Sequence, residues 1–185
     1  KKKKKFIEQY DNSLIKDYCD FIISLYDKQD REPSPTVSGV NTKHKLGTHI
    51  PLDFENSKDR LSGTVSQYLN KPLFDNLQKY KKKYNLDHID EFVLQSGYHI
   101  QKFEEGGGYF TPHCEHSPYE PYRILVWMIY LNDAKSGTKF HHYNKTYRAR
   151  VGRMLIWPAG WTHLHSGVTP NRGDKYIITG WFEYK

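Results

Sequence analysis

Two periodicities divide the chain. In "DNSLIKDYCDFIISLYDKQD", residues 11–30, Leu14, Ile15, Tyr18, Phe21, Ile22 and Leu25 recur three or four apart. That is the stripe of an amphipathic helix, with Asn12 or Ser13 as its cap. A second helical zone runs roughly from Leu61 to Tyr84, with Leu73, Phe74, Leu77 and Tyr80 on one side; Pro72 marks the start of its later helix. Between the two, "REPSPTVSGVNTKHKLGTHIPLD" is crowded with Pro, Gly, Ser and Thr and reads as loop with short extended pieces.

From residue 92 the texture changes. "FVLQSGYHIQKF", "GYFTPHCE", "RILVWMIYLND", "TKFHHYN", "YRARVGRMLIWP", "WTHLHSGV" and "DKYIITGWFEYK" are rich in β-branched and aromatic residues and are separated by turn residues. A turn at Val151-Gly152 splits the fifth segment, for about eight strands in all. Many short strands at close spacing predict a mainly β fold: a jelly-roll core over residues 92–185, supported from outside by the helices of residues 1–91, with the 31–55 loop as a lid. Neither an internal repeat nor a linker is visible, which predicts one domain over residues 1–185.

Length and composition suit this picture. The 185 residues are enough to bury a core, and 15% aromatic content argues against disorder despite a mean hydropathy of −0.83. The formal charge of +7 points to nucleic acid only until it is located. Lys1 to Lys5 and Lys81 to Lys83 lie outside the aromatic half and read as a solvated tail and a helix face. Two cysteines, Cys19 and Cys114, do not make a disulfide framework, so the expected setting is cytoplasmic (a host's cytoplasm for a viral gene). No apolar run is long enough to span a bilayer.

In "YFTPHCEHSPYEP", strand parity would project His113 and Glu115 to one face and turn Cys114 away. Two ligands hold a catalytic metal poorly, but "WTHLHSGV" offers His163 and His165 on another shared face. Two histidines and a carboxylate on one side of an ion form the facial triad of non-haem Fe(II) oxygenases. The pair alone is weak evidence among ten histidines.

The tail "HSGVTPNRGDKYIITGW" shifts the balance: Lys175 lies ten residues after His165, and Trp181 six further on. Here the chain resembles the 2-oxoglutarate and Fe(II)-dependent oxygenases, in their prolyl 4-hydroxylase-like branch, and "RILVWMIYLNDAKSGTKF" continues the likeness. The resemblance covers about residues 92–184 and implies a double-stranded β-helix. It assigns His113, Glu115 and His165 as iron ligands, since only from His165 does the ten-residue step reach a base; His163 is the runner-up. It assigns Lys175 and Tyr130 to the far carboxylate of 2-oxoglutarate and Trp181 to a pocket wall. The implied cofactors are Fe(II), the cosubstrate 2-oxoglutarate and O2, with ascorbate as an accessory reductant. The implied reaction hydroxylates a C–H bond, most characteristically of a prolyl residue in a peptide or protein, with release of succinate and CO2.

Two departures stand out. Glu115 replaces the usual aspartate and is one methylene longer. Phe103 stands ten before the first ligand, where a tyrosine is common; Tyr98 and Gln101 are substitute donors, although Tyr98 suits the core better. A carboxylate at 115 favours hydroxylation over halogenation, which needs a small residue there. Trp127 and Trp157 are expected on the outer face by their parity against Tyr130 and Ile156, and Cys114 as a buried small hydrophobe. Arg123 matches an arginine of the family, with an outer salt bridge as its other reading, and "GGG" at 106–108 reads as a flexible loop near the ligands rather than a phosphate cradle. Rival readings are a small-molecule or amino-acid oxygenase, an alkylated-nucleic-acid demethylase, a cupin-like metal enzyme and a non-catalytic β-sandwich. The demethylase is disfavoured by "KYIITGW", which lacks that group's two arginines.

Overall fold

In a computed structural model, described for residues 4–36, 38–56, 58–89 and 91–185, the amino-terminal half supplies both α-helices and four short strands. In order these are β1 (Glu8–Tyr10), α1 (Lys16–Asp27), β2 (Glu32–Pro33), β3 (Lys45–Leu46), β4 (Thr48–Asp53) and α2 (Arg60–Tyr84). Helix α1 starts later than expected. Asn12 takes a positive φ of 55° in the preceding turn, Ser13 and Leu14 donate backbone N–H to the Gly152 carbonyl, and Ile15 caps without a side-chain bond. Its buried face is Cys19, Ile22 and Tyr26, while Tyr18 and Phe21 lean outward against Tyr68 of α2.

Helix α2 is continuous through Pro72, not restarted there. Leu61, Val65, Leu69, Leu73 and Leu77 are buried at four-residue intervals on both sides of the proline. That packing carries the helix past the one missing hydrogen bond. Phe74, one position round from Leu73, is exposed rather than on the packed side. The Asp59 carboxylate accepts from the Ser62 N–H at the start, Asn85 closes the end in the left-handed region, and Lys81, Lys82 and Lys83 complement the carboxyl end of the dipole.

Nine strands follow: β5 (Phe92–Leu94), β6 (Gly97–Phe103), β7 (Gly108–Tyr109), β8 (Arg123–Tyr130), β9 (Gly137–Phe140), β10 (Lys145–Arg148), β11 (Met154–Pro158), β12 (His165–Val168) and β13 (Lys175–Tyr184). A large antiparallel sheet runs β1-β11-β8-β13-β6-β4-β2, with β5 also paired to β13. A smaller sheet, β10-β9-β12, forms the second layer, and β3 pairs with β7. This is the jelly-roll expected, extended by β1, β2 and β4. The expected lid is therefore partly sheet: β4 pairs along β6 from Thr48 to Asp53, while Pro35, Thr36, Lys45 and His49 of this region line the cavity.

The large sheet is apolar on both faces. Its outer face packs Leu125, Trp127, Ile129, Met154, Ile156 and Ile178 against the helices. A Cβ at Gly180 would come within 2.3 Å of the Trp127 ring, so the indole needs a glycine beside it. The inner face carries Val126, Met128, Tyr130, Leu155, Trp157 and Ile177 toward Phe140 of the smaller sheet. Trp157 thus faces inward, against expectation, because Trp157 is opposite Val126 and Ile156 opposite Trp127. Where both faces of a strand are buried, alternation is silent about which side is which.

Candidate active site

The inner face opens into a cavity of about 310 Å³. One side is a ladder from β13, where Lys175, Ile177, Thr179 and Trp181 all reach it at two-residue steps. The neighbouring β6 adds His99, Gln101 and Phe103. Opposite the sheet, His165 enters from β12 and His113 and Glu115 from the irregular segment after β7.

That segment is not the strand its composition suggests. Residues 110–122 lack ladder structure apart from isolated bridges. His113 and His165 exchange backbone hydrogen bonds of 3.0 and 2.9 Å, and the Glu115 N–H donates to the Ala159 carbonyl at 3.0 Å. These bonds bring together residues some fifty positions apart. Without regular alternation, Cys114 is half-buried and lines the cavity instead of entering the core.

One ligand atom from each of His113, Glu115 and His165 lies within 4.8 Å of the others. The Glu115 Oε1 is 3.2 Å from His113 Nε2 and 3.4 Å from His165 Nε2. Adjacent ligands about 2.1 Å from an octahedral ion stand about 3 Å apart, so the spacing suits a six-coordinate cation. The tautomers suit it as well. His113 Nδ1 is 3.0 Å from the Thr111 carbonyl and His165 Nδ1 is 3.0 Å from the His163 carbonyl. A carbonyl only accepts, so each Nδ1 carries hydrogen and each ring turns its Nε2 toward the carboxylate. Three converging electron pairs repel unless a cation or protons lie between them. Burial acts to raise the Glu115 carboxyl, but hydrogen bonds and charge from both imidazoles hold it well below the usual carboxylate range.

Lys175 is the second focus. Only 2% of it is exposed, and its Nζ has the Gly137 and Val168 carbonyls at 3.4 and 3.5 Å and the Phe103 ring at 5.0 Å. No carboxylate pairs with it among the described residues, and burial pushes its ammonium down to about 8. An ammonium so enclosed fits an incoming carboxylate.

Residues 76–183 match the sequence profile of the 2OG-Fe(II) oxygenase superfamily, more than half of the chain. The chain belongs to that superfamily. Its cofactors are accordingly Fe(II), 2-oxoglutarate and O2, and the donor set above fits them. The oxygenase has the fold of prolyl hydroxylases. A viral collagen prolyl hydroxylase from Paramecium bursaria Chlorella virus-1, in its 2-oxoglutarate complex, matches with a TM-score of 0.71 at 16% identity, over 98% of this chain and 97% of that one. A Pseudomonas putida prolyl-4-hydroxylase gives 0.69 at 15% identity, over 96% and 92%. A Trichoplax adhaerens prolyl hydroxylase, bound to a peptide fragment of the hypoxia inducible factor oxygen degradation domain, gives 0.75 at 14% identity, over 97% and 84%. Comparison with curated protein sequences finds no match.

The remaining expected residues fall into distinct places in the oxygenase. Trp181 lines the cavity and donates from Nε1 to Glu115 Oε2 at 3.2 Å. Arg123 lies inside the site, not on an outer surface: its guanidinium covers the Trp181 ring at 3.5 Å and pairs with Glu120 at 3.1 Å. Tyr130 is fully buried behind the wall, its hydroxyl bonded to Thr138 Oγ1 at 2.7 Å, and Thr138 is the residue at the cavity. Tyr98 packs in the outer core and bonds Ser66, leaving Gln101 at the cavity beside Phe103.

His163 is not on a strand face with His165. Residues Trp161–His163 form a 3-10 turn, and the His163 ring meets the Lys5 carbonyl at 2.9 Å and the Tyr143 hydroxyl at 3.2 Å. Sequence reasoning missed Lys45, His49, His99 and Tyr109, all of which line the cavity. Tyr109 stacks on the His113 ring at 3.6 Å. Only strand parity with Gln101 could have signalled His99; Lys45 and His49 sit in a segment whose pairing the sequence does not display.

Proposed function

We propose that this oxygenase hydroxylates a prolyl residue of a peptide or protein, with His113, Glu115 and His165 holding Fe(II) and Lys175 anchoring 2-oxoglutarate. The observation that carries the site assignment is Lys175, an enclosed ammonium without an anion in the cavity that also holds the triad. Iron and 2-oxoglutarate together supply O2 activation with oxidative decarboxylation to succinate and CO2.

The chain's own groups orient and select. The Thr111 and His163 carbonyls fix both imidazole tautomers, so that Nε2 faces the ion. Trp181 donates to Glu115 Oε2, and Oε1 is the oxygen that would hold the metal. Lys175 would orient the diacid, and the apolar walls of Phe103, Met128 and Trp157 would keep water from it.

A prolyl peptide is supported by the likeness to prolyl hydroxylases, including one bound to a peptide fragment. It is also supported by exposed Phe110, Tyr119 and Tyr122 on the segment that bears His113 and Glu115, since aromatic surfaces pack well on pyrrolidine rings. Incubation of proline-containing peptides with Fe(II), 2-oxoglutarate and O2 should add one oxygen to proline, read by mass spectrometry. Oxygen appearing only on another residue type, or on a non-peptide substrate, refutes the prolyl assignment.

A further inference from the structure

Lys45 is a second ammonium buried in the same cavity, and neither iron nor 2-oxoglutarate accounts for it. It sits on β3, held against β7 by the pairing of Lys45 with Tyr109. The residue is 7% exposed. Its Nζ reaches the Pro35 carbonyl at 3.2 Å and lies 5.0 Å from the Tyr109 ring centre, while that ring stacks on His113. Burial pushes it down to about 8, and Glu115 is the acid whose charge opposes this. Two neighbours sharpen the picture. His49 and His99 line the cavity, their rings lie 5.4 Å apart, and the Nδ1 of each is buried without a hydrogen-bond partner. His49 is itself 6% exposed.

The charges of the loaded site leave this corner uncompensated. Glu115 and the near carboxylate of 2-oxoglutarate offset the two charges of Fe(II), and the far carboxylate offsets Lys175. Arg123 is paired with Glu120 at 3.1 Å. Among the described residues, Glu115 and Glu120 are the acids that line the cavity. Among the described residues that line the cavity, one cation, Lys45, remains, and two unpartnered imidazole nitrogens belong to the same lining. A buried cation is stabilised best by a hydrogen-bonded anion.

We propose that Lys45, with His49 and His99, forms a carboxylate-binding subsite for the substrate, so that the hydroxylated residue carries or adjoins a carboxylate. The carboxylate is either the terminal group of proline itself or the side chain of an acidic residue next to it. Tyr109 spans the gap between this subsite and His113, so a group clasped by Lys45 is held beside the metal-binding side chains. This inference rests on the assignment of the triad and Lys175 and names what the substrate must present to that site.

The test uses the full chain loaded with Mn(II) and N-oxalylglycine, an isostere of 2-oxoglutarate that does not turn over. Calorimetry compares proline peptides bearing an adjacent glutamate with their glutamine counterparts, L-proline with L-prolinamide, and the same peptides with alanine for proline. At least one acid should bind on the order of thirtyfold more tightly than its amide. Lys45→Met should erase that preference with N-oxalylglycine affinity unchanged, which also shows the site is folded, and Lys45→Arg should restore part of it. Which acid wins tells the terminal carboxylate from the side chain.

The subsite is overturned if acids and amides bind alike, if no acid binds the loaded protein, or if the preference survives Lys45→Met. Loss of N-oxalylglycine binding in Lys45→Met also overturns it, because Lys45 would then serve the cosubstrate. Failure of wild-type protein to take up Mn(II) and N-oxalylglycine would instead refute the triad and Lys175. An acid preference kept in the alanine peptides, with no oxygen gained by proline, would refute the prolyl assignment alone.

Discussion

Trp181 donates its indole N–H to the Oε2 of Glu115 at 3.2 Å, while Oε1 of the same carboxylate faces both histidines. One oxygen is thereby committed to the wall, and the other is left to the imidazole pair. This gives the longer glutamate a reason to work here: the side chain spans from Trp181 to the imidazole pair. Trp181→Phe should keep the fold and weaken Mn(II) binding by about ten- to a hundredfold, as removal of an outer partner typically does. Glu115→Gln should abolish it. Mn(II) titration by calorimetry or electron paramagnetic resonance checks both, and Trp181→Phe with wild-type affinity would show that the indole only packs.

Lys175 sets stability against function. Its ammonium falls from an ordinary 10.5 to about 8 through burial, which corresponds to a cost of about 3 kcal/mol in the protein without cosubstrate. Lys175→Met, of similar length and uncharged, should therefore stabilise that form by about 1–3 kcal/mol near pH 7 while removing 2-oxoglutarate binding. Thermal unfolding with and without 2-oxoglutarate reads both effects: a higher midpoint than wild type alone, and no further rise with ligand.

The same group predicts a pH dependence. In the folded protein Lys175 loses its proton near pH 8, before its unfolded counterpart does at 10.5, so without ligand stability should rise with pH across that interval, and Lys45 adds a similar rise. Anchoring of a carboxylate has the opposite sign, because it needs the protonated form. The affinity for N-oxalylglycine should drop about tenfold from pH 7 to pH 9 in the Mn(II) protein. In Lys175→Met no such pH-dependent binding should be seen.

His163 and His165 lie two apart and should behave differently. His163 bonds Thr162, the Lys5 carbonyl and Tyr143, all away from Glu115. His163→Ala should cost about 1–2 kcal/mol of stability by loss of buried hydrogen bonds and leave Mn(II) affinity within about twofold. Denaturant melts and metal titration separate the two effects.

The sequence shows the site better than its surroundings. Lys175, Ile177, Thr179 and Trp181 reach the cavity through the period of two on one regular strand, and that period is visible in the chain. The family resemblance assigns His165 over His163 by its ten-residue step to Lys175. Trp157 was misplaced because β11 is apolar on both faces, so only the pairing register decides its side. Tyr130 shares the inward parity of Val126 and Met128 but is covered by Thr138, a matter of depth that alternation does not encode. Cys114 and His163 depart from expectation because their strand-like composition is not matched by strand geometry: the backbone makes an irregular segment and a 3-10 turn. Lys45 and His49 owe their place to β3 and β4, whose long-range pairings with β7 and β6 leave no local signature.

Anaerobic titration of Fe(II) into the protein with 2-oxoglutarate tests the central claim most directly, since chelation of Fe(II) by 2-oxoglutarate produces a visible charge-transfer band. The account predicts one such band, saturating at one Fe(II) per chain, retained in His163→Ala and lost in His165→Ala and Glu115→Gln. Absence of the band in the wild-type protein, or its survival in His165→Ala, would contradict it.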